Sequence, residues 1–198
     1  MLPDSLRNLI DNLKNLPGVG TKTAERLAFS MLDFEKKNLT SFSNAILDIR
    51  DKIGKCSVCG SITDGNVCSI CSNKDRDFST IFVVEKVKDI ILFEKLGVYK
   101  GVYHVLDGLI SPIDGIGPNE INLVGLINRI NDGQVSEVIL ALKPSIEGKT
   151  TMQYISKILA DKDIKISKIA TGVPLGTDME YIDSLTLEMA IDERKKMN

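Results

Sequence analysis

Apolar residues in the first fifty positions recur every three or four residues, as they do on one face of a helix. This spacing predicts a helix up to Leu13, a second helix from Thr21 and a third helix that ends before Gly54. The segment between the first two helices, residues 16–20, reads Leu-Pro-Gly-Val-Gly. Its proline stops a helix and its glycines accept positive φ, so the pattern predicts a helical hairpin.

From residue 78 onward, short apolar runs alternate with helical spacing. The runs predict strands at residues 80–85, 102–106, 137–142 and 165–170. The segments between and after them predict helices at residues 86–96, from Pro118 to Ile130, at 150–159 and from Met179. Strands that alternate with helices form a largely parallel sheet with helices on both faces. The chain is therefore predicted to be an α/β protein with a helical N-terminal region.

The four cysteines form two Cys-x-x-Cys pairs, Cys56 with Cys59 and Cys68 with Cys71, and eight residues separate the pairs. Each pair places two thiolates on one side of a tight turn, and the residues between the pairs are turn formers. Two such turns that face each other offer the tetrahedral sulfur cage that suits zinc. A stretch so short and polar buries too little apolar surface to fold alone, so we expect one structural zinc per chain.

Two disulfides or a redox-active pair are the alternatives for these cysteines. Disulfides need an oxidising compartment, and residues 1–20 show no signal peptide. A redox Cys-x-x-Cys usually occurs singly, beside the strand and helix of a thioredoxin-like unit. A catalytic zinc is not expected, because four thiolates leave no open position for a substrate.

The composition is that of an ordinary globular chain, with 43% hydrophobic and 26% charged residues among 198. No apolar run approaches membrane-spanning length and no targeting signal is seen, so we expect a cytoplasmic protein without membrane contact. The net charge of −2 gives no argument for nucleic acid. The distribution permits it near the N-terminus, because residues 1–76 carry 11 basic against 9 acidic side chains and the remainder 14 against 18.

The predicted helical hairpin resembles a helix-hairpin-helix motif. In that motif the backbone N–H groups of the hairpin, here at Gly18 and Gly20, hold a DNA phosphate at a helix N-terminus. Lys22 and Arg26 lie four residues apart on one face of the second helix, where they could contact further phosphates. Such binding would be independent of DNA sequence. The alternative is a plain helical hairpin whose glycines only form the turn.

Parallel sheets bind ligands at the carboxyl ends of their strands, and two acidic residues lie there. Glu85 ends the first strand and Glu147 follows the third, so they are candidates for contact with a cation or a partner. The alternative is that both lie in solvated loops. Residues 143–150 end in Gly-Lys-Thr and imitate a phosphate loop, but Lys143 stands where that loop needs glycine.

The single histidine, His104, lies in the middle of a predicted strand between apolar neighbours. No nucleophile motif accompanies it. We therefore expect a core residue rather than a catalytic base.

The order of these motifs is similar to that of the RecR family of bacterial recombination mediators, over nearly the whole chain. The stretches that match are residues 16–20, 26–29, the four cysteines, 76–77, 103–106, 111–118, 137–141, 147–148, 172–174 and 185–187. The chain departs from the usual family residues at Lys143, Lys149 and Thr177, where a small polar residue, Glu and Gly are common. The first two departures add positive charge to one loop and leave its contacts with a partner or DNA in doubt.

The resemblance implies a Toprim fold for the β/α part and a role in DNA repair. It implies that the protein loads recombinase onto gapped or single-stranded DNA together with RecO, and with RecF at junctions. It also implies ring-shaped oligomers that encircle DNA, from a homodimer to a closed tetramer.

A magnesium-dependent Toprim nuclease or a topoisomerase-like enzyme is the rival hypothesis. Resemblance to a catalytic Toprim domain would require a glutamate after the first strand plus an Asp-x-Asp after a later one. Glu85 meets the first requirement, but Ala-Leu-Lys stands at residues 141–143. Paired metals need those carboxylates, so we expect no enzymatic activity.

We divide the chain into four segments on these grounds. They are a helix-hairpin-helix DNA-binding region (1–54), a four-cysteine zinc finger (55–77), a Toprim-like domain (78–170) and a C-terminal loop and helix (171–198). The first and last segments are too small to hold a core alone. The apolar helical stripes of residues 1–55 and the C-terminal Gly-Pro loop with its helix are therefore candidate subunit contacts.

Overall fold

The computed structural model describes residues 2–194 and residue 196. The chain forms two compact units, the first ending at Ile53 and the second beginning at Gly54. The helices are α1 (Asp4–Lys14), α2 (Thr21–Met31), α3 (Lys36–Lys52), α4 (Ser69–Ser72), α5 (Val87–Leu96), α6 (Leu123–Asn131), α7 (Ile146–Ile158) and α8 (Ser184–Asp192), with a 3-10 turn at Met179–Tyr181. The strands are β1 (Gly54–Lys55), β2 (Ile62–Thr63), β3 (Asp77–Val84), β4 (Gly101–Val105), β5 (Glu137–Ala141) and β6 (Lys165–Lys168). Within this part of the chain, no helix has both the length and the apolar character needed to cross a bilayer.

The first unit is built on the hairpin of α1 and α2. Ala24 and Ala28 of α2 are fully buried, and their small side chains let the two helices approach closely. The chain turns between the helices at Gly18, whose φ of +82° is readily available only to glycine. The helical hairpin predicted from the sequence is confirmed. The predicted third helix, α3, is also present, but none of its residues is buried.

The second unit contains a parallel sheet in the order β4-β3-β5-β6. The central strand β3 is buried on both faces, with Ile81 and Val83 in one apolar cluster and Phe82 and Val84 in another. Helices α6 and α7 cover the first face and α5 covers the second. The predicted parallel sheet with helices on both faces is confirmed.

The start of α6 differs from the prediction. The helix begins at Leu123 rather than at Pro118. Asn122 explains the difference, because its backbone N–H donates to the Leu106 oxygen at 2.8 Å and its side chain donates to the Val105 oxygen at 3.0 Å. These bonds hold the preceding residues against β4 in turns, and a proline that could begin a helix does not begin one here.

The start of α7 also differs from the prediction, which placed it at residue 150. The helix begins four residues earlier, at Ile146. Ser145 caps it, since its hydroxyl oxygen accepts a hydrogen bond from the Gly148 N–H at 3.2 Å. Apolar spacing did not predict this start, because the first turn of α7 carries Glu147 and the exposed Ile146 and so presents no buried apolar residue.

His104 lies in the core of the second unit, as the sequence predicts, with no exposed surface. Its Nε2 is 2.7 Å from the backbone oxygen of Asn122. Burial lowers the pKa of the imidazole to about 4. The ring is therefore neutral at physiological pH.

Candidate metal centre and nucleic-acid interface

The fold brings all four cysteines together. Their Sγ atoms lie within 4.8 Å of one another, and those of Cys59 and Cys68 are 3.6 Å apart. A disulfide needs about 2.05 Å between sulfurs, so the thiols are not paired covalently. Zinc–sulfur bonds of about 2.3 Å place the corners of a tetrahedron about 3.8 Å apart. The spacing of Cys59 and Cys68 fits that geometry.

Backbone turns and hydrogen bonds position the cysteine side chains. The first pair follows β1, and the segment after Cys56 turns back at Gly60, whose φ is +76° and whose N–H donates to the Cys56 oxygen at 3.0 Å. The N–H of Cys68 donates to Cys56 Sγ at 3.3 Å. This bond joins the two pairs and stabilises negative charge on sulfur. The site is therefore shaped by backbone geometry as well as by the thiols.

Three of the thiols, those of Cys59, Cys68 and Cys71, affect one another's ionisation. A hydrogen bond with Cys71 lowers the pKa of Cys59 to about 5. The same bond raises the pKa of Cys71, and burial raises the pKa of Cys68. Ionisation of one thiol thus disfavours ionisation of its neighbours, and a bound dication would stabilise the thiolates together. The donor set fits a structural zinc held by four sulfurs, which is the cofactor that the spacing predicts.

The residues predicted to bind DNA gather at the start of α2. Gly20 is the N-cap, and among the residues that the structure describes no side chain caps the first turn. The first N–H groups of a helix have no partner within the helix, so this end presents donors to solvent. Lys22 and Arg26 are exposed, on the side of α2 away from the buried Ala24 and Ala28. Gly18 lies in the turn just before, and an added Cβ there or at Gly20 would meet no atom within 4 Å.

The other basic side chains of the hairpin have acidic neighbours. Arg7 pairs with Asp4 at 3.4 Å and Lys14 with Asp11 at 3.0 Å. No ion pair within the described residues involves Lys22 or Arg26. Their charge is therefore directed to solvent at the open end of α2.

Glu85 lies at the carboxyl edge of the sheet. The register pairs Val84 with Ala141, so residues 141–143 lie at the same edge, with no carboxylate among them. Lys86 Nζ is 3.4 Å from Glu85. Glu147 is in the first turn of α7, where a hydrogen bond from Ser145 lowers the pKa of its carboxyl. Among the described residues, neither glutamate belongs to a group of three or more side chains placed to hold a metal.

The segment that imitates a phosphate loop has a structural explanation. Gly148, Lys149 and Thr150 lie inside α7 rather than in a loop. A Cβ at Gly148 would overlap the backbone oxygen of Lys143, so the helix start approaches the end of β5 too closely for any larger residue. The glycine is there for packing.

An ion pair beside strand β4 was not predicted from the sequence. The Arg76 guanidinium donates to both carboxylate oxygens of Glu94, and Tyr103 donates to the same carboxylate at 2.8 Å. This network joins the segment after the cysteines to α5 and β4. Nothing in the local pattern signals it, because its members are far apart in the chain. The bonds of Asn122 to β4 were not predicted either, for the same reason.

Comparison with known proteins agrees with these features. Residues 6–50 match the RecR helix-hairpin-helix family, residues 53–73 the RecR zinc finger domain of the four-cysteine type, residues 79–170 the Toprim domain and residues 172–195 the RecR C-terminal family. Two relatives named "Recombination protein RecR", from Staphylococcus aureus strains Newman and Mu3 / ATCC 700698, are each 47% identical over 195 residues, which is 98% of this chain and 98% of the relative. The chain therefore belongs to the RecR family of recombination proteins, and its role lies in DNA recombination and repair.

Proposed function

We propose that this protein is a DNA-binding recombination mediator that loads recombinase onto gapped or single-stranded DNA together with RecO and RecF. The observation that carries the proposal is the open N-terminus of α2, with Lys22 and Arg26 exposed beside it. Since the bacterial chromosome lies in the cytoplasm, the same role places the protein there.

The open end of α2 suits a phosphate group. Its N–H groups and the positive end of the helix dipole favour an anion, and a bound phosphate needs no base contact. Lys22 and Arg26 follow at one-turn spacing and can reach neighbouring phosphates. Every contact of this kind is to the phosphate backbone of the DNA. We therefore infer that binding is independent of DNA sequence and extends to both double- and single-stranded DNA.

A single hairpin of this kind binds weakly, on the order of 10⁻⁴ to 10⁻⁶ M at physiological salt. Joining several hairpins in one oligomer makes the later contacts intramolecular and raises avidity without new chemistry. Function by this route therefore needs more than one copy of the chain.

Exposed apolar rows support assembly. Helix α3 carries a row at spacings of three and four, and each side chain in it is between 37% and 63% exposed: Leu39, Phe42, Ile46 and Ile49. The C-terminal segment exposes Leu175, Tyr181 and Leu185. Surfaces of this kind mark protein contacts. We propose a homodimer at least, and a closed tetramer as the form that encircles DNA.

We further propose that the protein has no catalytic activity of its own. Paired-metal chemistry needs a carboxylate beside Glu85, and Leu142 and Lys143 occupy the neighbouring strand end. Glu85 is the residue that favours a magnesium-dependent nuclease, within a segment that matches the Toprim domain. Steady DNA cleavage by the purified protein with magnesium, abolished by Glu85→Ala and retained by Glu180→Ala, would establish that enzyme instead.

Sedimentation velocity tests the mediator proposal directly. The purified protein should co-sediment with gapped DNA, and addition of RecO should give a larger complex that retains the DNA. Lys22→Ala combined with Arg26→Ala should weaken the DNA complex and leave the complex with RecO intact. Failure of the unmodified protein to sediment with either DNA or RecO would contradict the proposal.

A further inference from the structure

Strand β4 is an edge strand, yet its outer side is hydrogen-bonded. The Leu106 N–H donates to the Val84 oxygen in β3, so by alternation Gly101, Tyr103 and Val105 direct their backbone groups outward. We call these outward groups the outer edge of β4. An uncovered edge of this kind offers unpaired N–H and C=O groups to any other strand.

Side chains cover part of this outer edge. Arg129 Nη1 donates to the Tyr103 oxygen at 2.6 Å, and Arg76 Nη1 lies 3.3 Å from the Gly101 oxygen. Asn122 Nδ2 donates to the Val105 oxygen at 3.0 Å. These bonds satisfy carbonyl groups but no outward N–H.

The cysteine turn supplies the missing acceptor. The Val105 N–H donates to the backbone oxygen of Cys59 at 2.8 Å. The next residue, Gly60, lies against the same edge, since a Cβ on it would be 2.8 Å from Asn122 Nδ2 and 3.2 Å from the Val105 oxygen. Residues 56–60, here called the zinc knuckle, therefore pack directly on β4 through a ligand residue and its neighbour.

We propose that zinc binding protects the outer edge of β4 by holding the zinc knuckle against it, and that zinc loss opens this edge while the inner side of the strand stays paired. The Cys59 oxygen has a fixed position because the Cys59 thiolate is a zinc ligand. Without the metal, residues 56–60 have few apolar contacts of their own to keep them in place. The finger is thus a metal-dependent cover for the Toprim sheet, and the coupling is reciprocal: a disturbed edge lowers zinc retention.

Hydrogen exchange tests the first half of the proposal. The amides of Val105 and Leu106 are adjacent in the chain, but one bonds to the zinc knuckle and the other to β3. After removal of zinc with a chelator, we expect exchange at Val105 to accelerate at least about thirtyfold more than exchange at Leu106, which reports only the loss of global stability. Equal acceleration of both amides, or none at Val105, would overturn the proposal.

A double-mutant cycle on the zinc-loaded protein tests the reciprocal half. Gly60→Ala forces a methyl group against Asn122, and we expect zinc transfer to a colorimetric zinc indicator to be about tenfold faster. Asn122→Ala removes the amide that the methyl group meets, so the effect of Gly60→Ala should shrink to about threefold or less in that background. Equal factors in both backgrounds would mean that Gly60→Ala acts through its positive φ or the Val105 oxygen, and would contradict the contact with Asn122.

Gly97→Ala is the matched control for the backbone strain that alanine incurs at positive φ. Gly97 has a φ of +67°, and a Cβ on it would meet nothing within 4 Å. Its substitution should leave zinc transfer unchanged.

Discussion

His104 and Gly148 are two buried residues whose identities are set by what touches them. His104 Nε2 donates to the Asn122 backbone oxygen, while its Nδ1 is buried without a partner in the described residues. Gly148 lies where α7 starts, against the Lys143 oxygen. The sequence raises a functional alternative at each position, a catalytic base at the lone histidine and a phosphate loop at the Gly-Lys-Thr run, but favours neither. In the fold, both are explained by packing.

The buried histidine should make stability depend on pH. The unfolded chain binds a proton at His104 near pH 6.5, whereas the folded chain does so only near pH 4. The unfolded state therefore binds more protons between these values, and stability falls as the pH is lowered. Between pH 7.5 and pH 5, we expect His104 to account for a loss of about 2 kcal/mol in the free energy of unfolding.

Urea unfolding at saturating zinc across this range gives the comparison. His104→Gln lacks the titration, so its curve of unfolding free energy against pH should be flatter than that of the unmodified protein. The zinc ligands are the same in both proteins, so their contribution cancels in the difference. Parallel curves would show that His104 does not titrate as its burial requires.

Gly148→Ala should destabilise the fold. The added methyl group overlaps the Lys143 oxygen, and relieving that overlap requires α7 or the end of β5 to shift. We expect a loss of about 3 kcal/mol in urea unfolding. Lys149→Ala, at an exposed position of the same helix, should change it by less than about 0.5 kcal/mol. An unchanged free energy of unfolding for Gly148→Ala would contradict the packing explanation for this glycine.

Elements were predicted well where their signals are local. The Cys-x-x-Cys spacing and the Pro-Gly-Val-Gly turn are complete within a few residues, and both sites form where the sequence places them. The starts of α6 and α7 were wrong because Asn122 and Ser145 make bonds that periodicity does not show. The helix predicted from Met179 was also wrong in its start, because residues 179–181 form a 3-10 turn and α8 begins at Ser184 after the cap at Asp183. The partners of Arg76 and the Val105–Cys59 bond also depend on the tertiary fold. Helical spacing likewise cannot tell the buried face of α2 from the unburied row on α3.

The zinc finger is the element whose removal should matter most for stability. Elemental analysis should find about one zinc per chain, because four thiolates close a tetrahedron. Cys56→Ser removes one ligand, and we expect zinc loss and a drop of about 4 kcal/mol or more in unfolding free energy. Ser57→Ala, at the exposed neighbouring position, is the control and should retain its metal. A metal-free native protein with intact stability would refute the structural zinc.

At the scale of the whole molecule, the proposed mediator function requires more than one copy of the chain. The row on α3 is exposed in the single chain, and an exposed apolar row is what a subunit contact would bury. The exposed apolar side chains of the C-terminal segment offer a second surface. Two different surfaces on one chain can close a ring, whereas one self-complementary surface alone gives a dimer.

Phe42→Gln combined with Ile46→Gln tests the first contact. Both side chains are about half exposed, so the monomer fold should be retained by circular dichroism. Light scattering across a concentration series should show that dissociation occurs at a concentration at least about tenfold higher. Ile91→Gln with Val98→Gln removes exposed apolar surface in the second unit and should leave assembly unchanged. If the unmodified protein is a monomer at every concentration, the proposal of a ring is contradicted.

The salt dependence of DNA affinity tests the central claim most directly, measured by fluorescence anisotropy on several unrelated DNA sequences. Lys22→Ala combined with Arg26→Ala should weaken binding to every sequence and reduce the slope of log affinity against log salt by about 2, because two phosphate contacts are lost. Lys37→Ala with Lys52→Ala removes the same charge from α3, where both lysines are paired with acidic residues, and should leave the slope nearly unchanged. An unchanged slope and affinity in the Lys22 and Arg26 variant would show that the hairpin is only structural and would contradict the DNA-binding account.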